Sequence, residues 1–278
     1  MLSRKKSYRE YINEAKNKIR ELFEKEKAMY VTEIKVRLDG SVDERTRFWH
    51  WVTYDALQEM RRDGELKRRP RRGVYYIEEE EGERSRKRGS KITFYYPSSL
   101  SYADVAPIIR KKLDLVNEYA TIASKVGGYA EEVVKKALEA ENFTVVGRNV
   151  KKFRDREWHR KGEPDFVAYG EKEDRYYAIQ VKNRLTYPEW DDIATLIDVS
   201  DYFGIRPWFI ARQLPGDYTL DIIKSKGFYT TFLKLIIPES HMDLAKKLRD
   251  ILGFPVVFRE HEAIRMLREK FARIHGYP

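Results

Sequence analysis

The residues best placed to do chemistry stand on two neighbouring strands and one helix. In Gly162-Glu-Pro-Asp165-Phe-Val-Ala-Tyr169 an acid heads an apolar strand, and in Tyr176-Tyr-Ala-Ile-Gln180-Val-Lys182 an amide and an ammonium stand two residues apart. Strand side chains alternate between faces, so Gln180 and Lys182 point one way while Ile179 and Val181 point the other. Burying a Lys and a Gln inside an apolar strand costs on the order of several kcal/mol unless partners await them. An acid, an amide and an ammonium so arranged make a polar site. An edge strand facing water is the plainer alternative for Gln180 and Lys182.

Composition removes several other chemistries. The chain has no cysteine, which excludes a disulfide framework, a thiolate metal site and a Cys nucleophile. Its five histidines form no zinc cluster, and it carries no Gly-rich phosphate loop for a nucleotide cofactor and no Ser nucleophile elbow. No apolar run is long enough to span a bilayer, and the N-terminal Met1-Leu-Ser-Arg-Lys-Lys6 lacks a secretory apolar segment, so a cytoplasmic protein without a membrane partner is expected. The 36% charged fraction without cysteine matches proteins from very hot environments. A net charge of +10 and a pI near 9.4 point to a polyanionic partner, with nucleic acid ahead of a membrane surface.

The first 77 residues read as three helices and a hairpin. Tyr8 to Lys27 has helical spacing, Thr32 can cap a short second helix closed by Asp39-Gly40, and Asp43 can cap a third running to Arg62. Glu65 to Arg69, a turn at Pro70-Arg-Arg-Gly73 and Val74 to Ile77 make the hairpin. This is winged-helix order, and Ala56-Leu-Gln-Glu-Met-Arg-Arg-Asp-Gly-Glu-Leu-Lys-Arg68 resembles the end of a winged-helix recognition helix. On the third helix Trp49, Val52, Ala56 and Met60 face inward. Arg47, His50, Tyr54, Gln58 and Arg61 form the opposite stripe, suited to a major groove, with Arg68, Arg69, Arg71 and Arg72 at the wing tip near phosphates. A solvated face is the bland alternative.

Glu78 to Ser90 lacks periodicity and reads as a linker. Lys91 to Tyr96 is a short strand, Ser101 to Lys125 is mostly helical, and a separate helix from Gly128 to Leu138 carries Glu131 on the side of Val134 and Leu138. Asn142 to Val146 is a strand, followed by a basic loop from Arg148 to Lys161. Phe166 to Tyr169 pairs with Tyr176 to Val181 across Gly170 to Asp174. Pro188 opens a helix ending at Gly204, and Pro207 to Arg212 is a strand parallel to the Gln180 strand through a crossover. A helix near Asp217 to Lys226, a strand near Phe228 to Ile237, a helix at Met242 to Leu252, a strand at Pro255 to Phe258 and a last amphipathic helix complete the chain. Tyr176, Tyr177 and Trp190 read as core, and His159 as a loop histidine.

Glu131 on a helix, Pro164-Asp165 on a strand and Gln180-Val181-Lys182 on the next resemble the PD-(D/E)XK nuclease superfamily over roughly residues 127 to 212. Spacing and apolar pattern are most similar to archaeal Holliday-junction resolvases, through Ala178-Ile-Gln-Val-Lys-Asn-Arg184. Gln180 departs from them, since it stands where they carry an acid. Gln at this position is the variant of Mrr-type restriction endonucleases.

The resemblance implies a catalytic set of Glu131, Asp165, Gln180 and Lys182 acting with Mg²⁺, for which Mn²⁺ substitutes. Hard cations take oxygen ligands. Asp165 is then the central ligand, with Glu131, the Gln180 amide and the Val181 carbonyl beside it, and Lys182 orients or deprotonates water. Gln180 leaves the site one negative charge poorer, so weaker metal binding or a single well-held ion is expected. Glu163 can compensate, and Glu132 is the rival of Glu131. Lys151, Lys152 and Arg154 in the basic loop would hold DNA near the cut, and a homodimer would let two sites cut two strands.

The expected organisation is α/β. Residues 1–77 form a winged helix-turn-helix domain, 78–100 a linker, and 101–278 a restriction-endonuclease-like domain (core about 127–237) with a central mixed sheet flanked by helices. The expected function is metal-dependent hydrolysis of DNA phosphodiester bonds. A Holliday-junction or branched-DNA resolvase and a catalytically inactive DNA-binding regulator are the alternatives.

Overall fold

The computed structural model describes the backbone of residues 6–43, 46–78 and 84–274, and their side chains except those of 74–78 and 84–90. It divides into two compact units, Met1–Ala123 with Lys246–Pro255, and Ser124–Ala245 with Val256–Pro278. The expected boundary near residue 100 therefore moves into a helix.

In the first unit, α1 (Tyr8–Lys25) opens on a capping box in which the Glu10 backbone N–H donates to Ser7 Oγ and the Ser7 N–H to Glu10 Oε2. Strand β1 (Met29–Tyr30) leads into α2 (Val31–Leu38), capped at Tyr30 and so starting earlier than a Thr32 cap would allow. Helix α3 (His50–Arg62) begins well after Asp43, whose carboxylate instead accepts from Thr46 Oγ1 at 3.0 Å in a local turn. Ile12, Ala15 and Ile19 of α1, Ile34 and Leu38 of α2, and Val52, Ala56, Leu57 and Met60 of α3 share one apolar core.

The expected turn at residues 70–73 does not form. Strand β2 (Leu66–Glu78) runs straight through it and pairs antiparallel with β3 (Arg84–Pro97), so the segment expected as a linker is largely a strand. Pro70 is tolerated because β2 is an edge of the sheet, whose order is β1-β3-β2. The register slips between Arg72 and Val74, at Gly73. A Cβ there would meet Asn117 Oδ1 at 2.6 Å, so the bulge lets the strand lie close to the next helix. That helix, α4 (Tyr102–Glu139), is continuous for 38 residues and absorbs Gly127 and Gly128, which the sequence reading placed at a break.

The second unit follows with β4 (Phe143–Arg148), a small hairpin of β5 (Lys152–Phe153) and β6 (Arg156–Glu157), β7 (Phe166–Gly170) and β8 (Arg175–Lys182). Next come α5 (Trp190–Phe203), β9 (Arg206–Ala211), α6 (Gly216–Lys224), β10 (Phe228–Thr231) and β11 (Leu235–Ile236), then α7 (Met242–Leu252), most of which belongs to the first unit, and β12 (Val256–Val257) and α8 (Glu260–Phe271). The sheet order is β10-β9-β8-β7-β4. Strands β9 and β10 lie parallel in line with β8, while β7 is antiparallel to both β8 and β4. The single strand expected over Phe228 to Ile237 is two, because the chain turns at Leu233 (φ 62°) and β11 pairs with β12 instead.

Alternation along β8 divides the layers. Tyr177, Ile179 and Val181 pack against Val133, Val134, Ala137 and Leu138 of α4 and Leu267 and Phe271 of α8. Ala178 packs on the other face against Ile193, Leu196, Val199 and Phe203 of α5. The chain is α/β, with a mixed central sheet between helices. Tyr177 is fully buried as expected, but Trp190 is exposed and contacts Tyr218 at the edge of α5.

Candidate active site

Strand β8 lies inside the sheet, between β7 and β9, so Gln180 and Lys182 are not on a water-facing edge. Their face is that of α5. Register pairs Phe166 with Ile179, which sets Asp165 beside the Gln180 peptide. Asp165 Oδ2 accepts two hydrogen bonds at 2.6 Å, from Gln180 Nε2 and from the Val181 backbone N–H. Gln180 thus turns its amide nitrogen toward Asp165, holding that carboxylate where the sequence reading made it an oxygen ligand.

Lys182 Nζ lies 2.9 Å from Asp192 Oδ1, and Arg184 Nη1 lies 3.8 Å from Asp192 Oδ2. Asp192 sits in the first turn of α5, where its carboxylate also accepts from the Glu189 N–H at 3.2 Å. An acid there is favoured by the helix dipole, and that capping role concealed it from sequence reasoning. The signal available was the Asp191-Asp192 pair directly after Pro188-Glu189-Trp190.

Asn149, Lys161, Glu163, Asp165, Gln180, Lys182, Asp191, Asp192 and Thr195 line one open cavity of about 420 Å³. Loop packing holds its mouth. Trp158 Nε1 donates to the Gly162 carbonyl at 2.8 Å, and the Asn149 N–H donates to the Asp165 carbonyl at 3.1 Å. Gly162 has φ 82°, and a Cβ there would come within 2.6 Å of Thr195 Cγ2, so only glycine lets this loop lie against α5. Behind the site, buried Asn183 donates to the carbonyls of Val126 and Ile236 and accepts from the Ile236 N–H, tying the end of β8 to α4 and β11. Buried Arg212 donates to the carbonyls of Arg184 and Leu185, fixing the chain that leaves β8.

Burial pushes the Asp165 carboxyl above its ordinary pKa. The Val181 N–H, Lys182 and Gln180 pull it down, while Asp192 adds to the rise. The Glu131 carboxyl is also raised, first by burial and then by the Asp165 charge. The helix and strand acids therefore sit in each other's field. Glu132, the rival, turns away into an ion pair with Arg148 at 2.5 Å, which holds its carboxyl low.

The Asp165 and Glu131 carboxylates are oxygen donors of the kind a hard cation takes. Among the described residues no group of three His, Asp or Glu side chains is already gathered as a metal cage.

The residues expected to meet DNA are only partly where the sequence put them. His50 is buried and faces Asp39 at 3.3 Å, and Gln58 is half-buried with its amide donating to Tyr95 OH at 2.8 Å, so neither stands free on an outer stripe. Arg47 precedes α3 and lies over the Trp49 ring. Tyr54 and Arg61 are exposed. Arg68, Arg69, Arg71 and Arg72 lie along β2, which runs on to Glu78. Arg69 and Arg71 stack on Tyr102, while Arg68 shares a cleft with Arg61, Lys67 and Tyr96. Lys151, Lys152 and Arg154 are exposed, with Arg154 over Phe153 and Tyr176. Among the described residues no helix is long and apolar enough to cross a membrane. Comparison with protein-family models, curated proteins and solved structures finds no significant match to this chain.

Proposed function

We propose that this chain is a metal-dependent endodeoxyribonuclease whose cutting site is the cavity of Asp165, Gln180, Lys182 and Asp192, with Glu131 at its side. One observation carries the reading. Asp165, Gln180 and Lys182 share one cavity, and the Asp165 charge raises the proton affinity of Glu131, an arrangement a cation relieves. Asp165 and Glu131 would hold Mg²⁺. Bound there, the ion polarises a phosphate oxygen and makes water a stronger nucleophile.

The chain's own groups do the rest. Gln180 and the Val181 N–H fix one Asp165 oxygen, leaving the other for a ligand. Lys182, anchored by Asp192, keeps an ammonium beside the phosphate, where it stabilises developing negative charge. The exposed cations Lys151, Lys152 and Arg154 of the segment after β4, and Arg61, Lys67 and Arg68 in the first unit, supply phosphate contacts. In this reading the first unit is a winged-helix DNA-binding domain. Binding should therefore weaken steeply with salt.

The test is cleavage of labelled duplex, four-way junction and single strands with Mg²⁺ or EDTA. Asp165→Ala and Lys182→Ala should each lower cleavage at least about a hundredfold, while binding in EDTA persists. Wild-type rates in both variants would end the assignment. Faster cutting of the junction would select a resolvase. A second reading, a DNA-binding protein without cleavage, is favoured by the uncharged Gln180. It requires undiminished binding with no product in Mg²⁺, Mn²⁺ or Co²⁺.

A further inference from the structure

A cleft of about 750 Å³ lies against β10, the edge strand at the far side of the sheet. Arg206, Lys226, Lys270 and Arg273 line it and, among the described residues, no acid does, although the chain as a whole carries 45 acids to 55 bases. Its apolar wall includes Ile223 and Phe228, with Tyr229 42% exposed. The Arg206 residue pairs in register with Tyr177, five positions before Lys182, so this cleft lies toward the opposite end of the parallel strands from the Asp165 cavity.

Two features separate it from an ordinary solvated face. Several cations at half-buried positions elsewhere are matched: Lys16 by Asp63, Arg37 by Glu33, Lys182 by Asp192. Lys226, Lys270 and Arg273 have no side-chain hydrogen bond or ion pair among the described residues. Tyr229 likewise has no ring partner among them. The ends of α6 and α8 account for three of the cations, since positive charge complements a helix C-terminus. They do not account for the absence of acids among the described residues of the lining, or for an exposed aromatic among like charges. A second copy of this chain is a poor occupant, because a symmetric contact would set these cations against themselves. The size falls in the range of small-ligand sites, about 300–1,000 Å³.

We propose that this cleft is a nucleotide-binding site, distinct from the cutting cavity. Its cations receive the phosphates, and Tyr229 with its apolar neighbours receives the base. The same chemistry is offered by a free nucleotide and by one unit of a single strand, where base–aromatic stacking contributes about 1–3 kcal/mol per base.

The experiment is calorimetric titration in EDTA, so that no cleavage intervenes, with ATP, 5′-phosphorylated dT6, inorganic tripolyphosphate and an acidic peptide. ATP or dT6 should bind, and the ratio of their affinities tells the free source from the strand. Lys270→Glu with Arg273→Glu, one in the last turn of α8 and the other just beyond it, should weaken binding at least about tenfold. Lys18→Glu, a change at a cation of the first unit, should not. Tyr229→Ala should weaken ATP but leave tripolyphosphate unchanged, and Tyr229→Phe should retain ATP, which separates stacking from a folding defect. The proposal is overturned by no nucleotide binding at millimolar concentration, by binding that survives the double charge reversal, or by a preference for the peptide. Because Asp165→Ala leaves this cleft intact, that variant should bind ATP normally, whatever becomes of the cleavage assay.

Discussion

Two buried ionic clusters in this molecule, both drawing on α4, have opposite designs. In the first unit Lys112 donates to Glu33 at 2.7 Å, to Glu26 at 3.1 Å and to the Ala28 carbonyl at 2.9 Å. Arg37 completes the cluster by reaching Glu33 at 3.0 Å, Glu26 at 3.2 Å and the Leu252 carbonyl at 3.1 Å. Each donor there has a partner, and Glu33 is wholly out of water. In the second unit one Asp165 oxygen is held by two donors, its charge reaches Glu131, and Asp165 with Lys182 opens on a cavity. A closed network holds elements together. An open one stores unfavourable charge that something from outside can relieve.

The sharpest way to break that comparison is to remove one cation from each cluster. Lys112→Met strands Glu33 and Glu26 around a single guanidinium and should cost about 3–5 kcal/mol of stability, measured by urea unfolding. Lys182→Met leaves Asp192 part-exposed beside Arg184 and should cost no more than about 1–2 kcal/mol. Equal losses would erase the distinction.

The pH dependence adds a sign. Burial pushes the Glu33 carboxyl up to about 7 against the pull of Lys112 and Arg37. An acid raised in the folded state favours folding at low pH, and that contribution is lost as pH rises from the ordinary value of 4.5 through the raised one. Removing Lys112 deletes a lowering influence, so the Lys112→Met penalty should be larger at pH 7 than at pH 5. A penalty independent of pH would mean Glu33 is not the group left stranded.

Asp165→Asn tests the open cluster. Asp165 is raised by burial, so its contribution also falls as pH rises through its shifted value. The Asn variant lacks that fall and should be at least as stable as wild type near neutrality, in calorimetric melts at several pH values. The same change should abolish metal stabilisation. Mg²⁺ at a hundred times its dissociation constant stabilises a binding fold by about 2.7 kcal/mol. Wild type should show such a rise in Tm, and Asp165→Asn and Glu131→Gln should not. A rise that persists in both places the ion elsewhere.

How far each cluster was legible in the sequence follows from the kind of signal it left. Asp165, Gln180 and Lys182 stood out because polar residues interrupt strand alternation, and the β7–β8–α5–β9 order followed from apolar runs bounded by turn residues. Asp192 and Asn183 were silent, one disguised as a helix cap and the other as a polar residue after a strand. The Lys112–Glu33 network was silent too, because each member sits among ordinary helical charges and only tertiary contact removes it from water. Gly73 misled by its neighbours: Pro70-Arg-Arg-Gly73 has turn composition, yet an edge strand accepts the proline and a close helix requires the glycine. His50 misled by helical spacing, since a start for α3 at His50 in place of Asp43 changes which residues begin the helix.

The smallest effect concerns the part of α4 between Lys112 and Glu131. Gly127 and Gly128 lie inside the helix, and a Cβ built on either meets nothing within 4 Å. No packing contact asks for glycine there, and neither takes the positive φ that would. Glycine inside a helix costs roughly 0.5–1 kcal/mol relative to alanine, because the unfolded chain has more freedom to lose. Gly127→Ala and Gly128→Ala should each stabilise the protein by about that amount in urea unfolding. Gly128 precedes Glu131 by less than one turn, so Mg²⁺ binding monitored in the same variants reports on the open cluster alone. A gain in stability with unchanged Mg²⁺ affinity shows that α4 merely carries Glu131. A gain in stability with weakened Mg²⁺ binding shows that the carboxylate needs the yielding backbone to reach its ligand, and the open cluster is then open by virtue of its helix as well as its charges.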